Sequence, residues 1–184
     1  MVHPALLYLP GARLSLPELS AARLDGHVVD LGDAYIPADL VEGADVRAAS
    51  IAALVQDGAA VCGPSAAWVH GAGDAPPPVH HVKRCVERRV RPRTSARLVF
   101  HDTVLPPAHV VMIGGVPVST PGRTMMDLAT SLHRDPRVLP WMNALAIACP
   151  EATRHALTEL RGTTRVPGSR AGIAALERVE LRTR

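Results

Sequence analysis

The stretch VSTPGRTMMDL, residues 118–128, decides how this chain is to be read. It has the form of a strand end passing directly into a capped helix. Ser119 or Thr120 is fit to accept the first free helical N–H groups, and Pro121 suits the first helical position, where its missing donor is not needed. Met125, Leu128, Ala129 and Leu132 then recur at the spacing of a buried stripe. Arg123 stands out, because a cation in the first turn opposes the helix dipole. An Arg-first pair with Asp127 is also the weaker order for a helical ion pair. Arg123 therefore either locks its helix onto the sheet through Asp127, or ties down a neighbouring loop or an external group.

Working upstream, extended segments are expected at about 79–87, 97–104 and 109–113, and Gly114-Gly115 between Ile113 and Val116 is a tight-turn signal. Before them, Gly63-Pro64-Ser65 opens a short helix over 66–71 with Ser65 as its cap and Trp68 and Val69 packing inward. Gly73–Pro78 reads as a rigid connector. Asp45–Val55 reads as a helix with Val46, Ala49, Ala53 and Leu54 on its apolar side. Downstream, helices are expected over about 137–148, 150–160 and, after a loop at Thr163–Gly168, from Arg170 to about Leu181. The fold class is α+β: helices, an antiparallel sheet, then helices.

The front of the chain is different. Residues 14–24 predict a helix with Ser15 as cap, Pro17 near its start and Gly26 as its stop. His27–Leu31 and Ala34–Ile36 predict a small hairpin around Gly32-Asp33, closed by Pro37. Helix then hairpin is the second half of a winged helix, without room for the first. The expected organisation is a shortened winged-helix-like module at 1–43 and a helical and sheet-containing domain at 44–184.

Charge divides the same way. Residues 1–79 hold three arginines against nine acids, a balance of −6, and residues 80–184 hold seventeen basic groups against eight acids, a balance of +9. The basic half carries its charge in Lys83, Arg84, Arg88, Arg89, Arg91, Arg93 and Arg97, interrupted by Glu87, on what reads as the tip of a hairpin. Such guanidinium groups grip phosphates or a carboxylate-rich protein face. The alternative is a solvated loop answering the acidic front. The arm lacks aromatic residues, which argues against a dedicated single-strand binder.

Other chemistries find little support. The cysteines, Cys62, Cys85 and Cys149, are odd in number and widely spaced, so neither a disulfide framework nor a clustered metal site is implied. His80 and His81 are adjacent on a strand and face opposite sides, while His101 and His109 read as isolated. No metal site and no cofactor are expected. Gly63-Pro-Ser65 lacks the second glycine of a nucleophile elbow, and no glycine loop ends in Gly-Lys-Ser/Thr. No paired aspartates follow Gly168-Ser169. Catalysis is not expected, and Asp102 and Asp127 are the acids to test. A leader peptide and a membrane span are not expected either, which points to the cytoplasm.

Three pieces taken together, PSAAWVHG at 64–71, the basic strand pair at 79–104 and VPVSTPGRTMMDLA at 116–129, resemble AbiEi-type antitoxins of type IV toxin–antitoxin systems, especially actinobacterial ones. The similarity runs from about residue 14 to about 180. The resemblance implies an N-terminal winged helix that binds operator DNA and a C-terminal α/β domain marked here by Ser65, Trp68, Arg123, Thr124 and Asp127. It implies a nucleotidyltransferase toxin as partner. Some relatives continue into a nuclease-like domain, which is not expected within these residues.

A recognition helix needs donors for base edges and several phosphate anchors, and the front helix offers only Arg23, with Arg13 just ahead. Three functions follow as expectations. One is an antitoxin-like transcriptional regulator that binds DNA, neutralising about six phosphates for a log–log salt slope near −5. Another is a protein-interaction module or relic that has lost operator binding. The third is a metal-dependent nuclease or transferase around Asp127.

Overall fold

The computed structural model describes residues 6–93, 95–163 and 166–182. Pro4, Thr94 of the basic arm and residues 164–165 of the loop before the last helix lie outside them.

Helix α1, Leu16–Leu24, starts at a capping box: the Ser15 side chain accepts from the Glu18 N–H, and the Glu18 carboxylate accepts from the Ser15 N–H at 2.7 Å. Gly26, at φ +76°, turns the chain out of the helix. Strands β1, Val28–Leu31, and β2, Ala34–Pro37, then pair antiparallel across the Gly32-Asp33 turn. Tyr8 adds a backbone bridge to Tyr35, so the segment ahead of α1 runs along the hairpin.

Helix α2, Ala44–Ser50, ends earlier than the periodicity predicts and gives way to a 3-10 turn at Ala52–Leu54. Its buried positions are Val46, Arg47, Ala48 and Ser50, while Ala53 is exposed. Arg47 causes the rotation. Its guanidinium donates to the carbonyls of Trp68 at 2.7 Å and Gly73 at 2.9 Å, pairs with Glu42 and lies 5.4 Å from the Trp68 ring centre.

Strand β3, Ala59–Val61, leads into α3, Gly63–Val69. Strands β4, His80–Arg84, β5, Leu98–His101, β6, Val110–Ile113, and β7, Val116–Ser119, complete a five-stranded sheet ordered β5-β4-β3-β7-β6. The sheet is mixed rather than antiparallel: β4 and β5 run parallel with His80 opposite Leu98, and β3 and β7 run parallel with Val61 opposite Val118. Helices α4, Pro121–Ser131, α5, Leu139–Ala148, α6, Pro150–Gly162, and α7, Ser169–Arg182, follow, with a 3-10 turn at Pro136–Val138. The architecture is α+β.

Two apolar clusters meet at α3. Ala67 joins Met125, Leu128, Met142, Leu145, Leu160 and Leu176 of the last four helices. Trp68 and Val69 join Leu31, Ile36, Val46, Ile51, Val61 and Val118, so the front hairpin packs into the same cluster as the sheet. Burying Trp68 completely removes about 150–250 Å² from water, worth about 4–6 kcal/mol at about 25 cal/mol per Å². Its indole N–H has no hydrogen-bond partner among the described residues, which offsets about 1–3 kcal/mol of that gain. No helix among the described residues is long and apolar enough to cross a membrane.

Candidate functional site

Because β4 and β5 are parallel, residues 85–97 cannot tip a hairpin. They form a crossover loop that carries the chain back to the start of the next strand. The bases of the expected cluster divide accordingly. Lys83, 8% exposed, points under α4, and its ammonium donates to Asp127 Oδ2 at 2.6 Å. Arg84 also turns inward. It donates to the carbonyls of Val86 at 3.0 Å, Glu87 at 2.8 Å and Asp102 at 2.9 Å, and to the Asp102 carboxylate at 2.9 Å. Arg97 pairs with Asp33 in the front hairpin turn.

Arg88, Arg89, Arg91 and Arg93 remain. All four are exposed, and their side chains make no ion pair or hydrogen bond among the described residues. The loop beneath them is anchored. Cys85 N–H donates to Gly58 O at 2.9 Å, and Val86 and Val90 close over Gly58. A Cβ on Gly58 would lie 2.9 Å from Val86 Cγ2, and the φ of +79° there favours glycine independently. Gln56, which sequence reasoning missed, donates to Arg91 O at 3.1 Å and accepts from Arg93 N–H at 2.8 Å. In the front module Arg23 is paired with Asp30, and Arg13 is exposed with a partner of its own.

The motif residues lie elsewhere, where α3, β4, β7 and α4 join. Thr120 caps α4 by accepting from Arg123 N–H, and Ser119 and Thr124 hydroxyls meet at 2.6 Å. Asp127 gives one oxygen to Arg123 Nε at 3.0 Å and the other to Lys83, so the carboxylate joins two cations from different elements. Arg123 thus takes the helix-locking role. Ser65 is not a cap, since Cys62 holds that position. Its hydroxyl accepts from His81 N–H at 2.9 Å and shares a 3.2 Å hydrogen bond with His80 Nδ1, tying α3 to β4.

The histidines in this region are held neutral. His70 donates from Nε2 to Ser119 O at 2.7 Å, and burial lowers its pKa. His101 is not isolated: its ring stacks on His81 with centres 5.3 Å apart, and their nitrogens approach to 3.1 Å. Burial first, then the neighbouring His81 and Lys83, lower the His101 pKa to about 4. Burial pushes the Cys62 thiol up to about 12, which leaves it protonated and a poor nucleophile. Among the described residues no three His, Cys, Asp or Glu side chains are grouped to hold a metal ion. An open cleft of about 600 Å³ lies between the start of α4 and α6, lined by Arg123, Cys149, Glu151, His155 and Glu159.

The family model described as AbiEi antitoxin C-terminal domain matches residues 59–177, a span that takes in β3 through most of α7. Among curated proteins nothing matches. Among solved structures, the RV2827C protein from Mycobacterium tuberculosis is similar to 93% of this chain over 70% of its own length, at 14% identity and a TM-score of 0.35.

Proposed function

This chain belongs to the AbiEi antitoxin family, and from that membership we propose that it is a cytoplasmic transcriptional regulator of a type IV toxin–antitoxin system. It opposes a nucleotidyltransferase toxin and binds operator DNA through the 85–97 loop, with residues 14–36 of a 1–43 module against the groove and no bond made or broken. Family membership supports an antitoxin role in a toxin–antitoxin system.

The observation that carries the DNA-binding reading is the group of four exposed guanidinium groups, on Arg88, Arg89, Arg91 and Arg93, that no carboxylate among the described residues neutralises. Lys83 and Arg84 are engaged within the fold and Arg97 pairs with Asp33 at the surface, so the phosphates engaged by the loop number about four rather than six, for a slope of about −3.6. A gel shift at low salt on the DNA upstream of the gene tests this: a retarded complex is expected, and free probe throughout refutes it.

A second reading, docking on an acidic face of the toxin itself, is favoured by α1. Its Arg23 is engaged with Asp30, whereas Leu16 and Leu24 are exposed, Leu24 to 81%. Exposed leucines suit a protein surface better than a DNA groove. Co-purification with the product of the neighbouring gene distinguishes it, and a complex released by Arg89→Glu/Arg91→Glu in the absence of DNA favours this second reading.

A further inference from the structure

We propose that Gln56 is the positioning residue of the arginine loop, holding the backbone at 91–93 in one conformation so that its guanidinium groups meet an anionic partner already arranged. The inference rests on the reading of the loop as the anion-binding element. Gln56 follows the 3-10 turn after α2, and it is 8% exposed although glutamine is ordinarily a surface residue. Its carboxamide reaches 35 and 37 residues along the chain and satisfies both a carbonyl and an N–H of the loop.

The two groups it satisfies are the C=O of Arg91 and the N–H of Arg93. Along a strand these face the same way, and an adjacent strand would supply one acceptor and one donor to them. The carboxamide carries one of each, so Gln56 acts as a single rung of a strand partner where the sheet supplies none. Pro92 between them has no N–H to satisfy. Four long cationic side chains crowd into six residues of this loop and repel one another, and a free loop would disperse them. Ordering such a segment at the moment of binding opposes association, and a loop already ordered avoids that loss.

Replacing Gln56 by methionine keeps the length and the apolar stem while removing both hydrogen bonds. The test compares the full-length Gln56→Met variant with wild type by amide hydrogen exchange and by fluorescence anisotropy on a labelled DNA duplex of arbitrary sequence. Exchange of the Arg93 N–H is expected to rise at least tenfold while amides of β3 and β7 keep their protection. The dissociation constant is expected to rise about fivefold to tenfold with the salt slope unchanged, because the same arginines still reach the phosphates. An unchanged Arg93 exchange rate overturns the proposal, as does an affinity equal to wild type. If wild type itself leaves the duplex unbound, the DNA reading fails and the exchange result alone decides whether Gln56 holds the loop.

Discussion

Asp127→Asn isolates the interaction that joins the most characteristic helix of this chain to its sheet. The wild-type carboxylate receives Lys83 at 2.6 Å and Arg123 at 3.0 Å, and is itself 17% exposed. Asparagine keeps the shape and one acceptor oxygen but removes the charge, leaving two mostly buried cations with no counter-ion. Breaking a buried pair by removing one partner costs about 3–5 kcal/mol, and the residual exposure places this case near about 3. For a chain of this size each kcal/mol moves the melting temperature by about 2–4 °C, so a drop of about 6–12 °C is expected in thermal unfolding followed by circular dichroism. Lys83→Met should relieve part of the defect, making the double variant less destabilised than the sum of the two single ones by about 1 kcal/mol or more. A loss below about 1 kcal/mol, or strict additivity, would refute the ionic-junction account. The same experiment bears on the idea of catalysis at Asp127, since a large stability effect gives the acid a structural purpose.

Three further outcomes follow from the geometry. Ser65→Ala removes the acceptor for His81 N–H and the link to His80, and should cost about 1–3 kcal/mol in urea unfolding. Gly114→Ala would place a Cβ 2.4 Å from the Asp45 carbonyl oxygen at a φ of +55°, and a loss of about 2 kcal/mol or more is expected by the same method. His101 is held below its ordinary value of 6.5 at about 4, so between those values the unfolded chain binds more protons than the folded one. Stability is therefore complete above about pH 6.5 and declines as pH falls toward about 4. Urea midpoints across that range should decline less steeply in His101→Gln.

Local chemistry was legible wherever it was written in neighbouring residues. The Ser15 cap, the Gly32-Asp33 hairpin, the Gly114-Gly115 turn and the β7-to-α4 passage all depend on contacts within a few positions, and the 118–128 stretch holds the last of them. Strand direction was not legible. That β4 and β5 run parallel depends on where the chain returns after thirteen loop residues, which no periodicity records. The basic cluster was visible as composition, yet its division into inward Lys83 and Arg84 and outward Arg88, Arg89, Arg91 and Arg93 depends on partners in α4 and after β5. Gln56 carried no sequence signal, because a lone polar residue after a helix is ordinary until its distant partners are known. Arg47 was hidden for the same reason, buried against Trp68 and Gly73 where charge alone predicts a solvated face.

The central claim is that Arg88, Arg89, Arg91 and Arg93, unpaired among the described residues, make the contact with an anionic partner. It is tested most directly by the salt dependence of duplex DNA binding in wild type and in Arg89→Gln/Arg91→Gln. The account predicts a log–log slope of about −3.6 for wild type, falling to about −1.8 when two of the four guanidinium groups are removed. A double variant that keeps the wild-type slope, or a wild-type protein that forms no complex even at low salt, would contradict it.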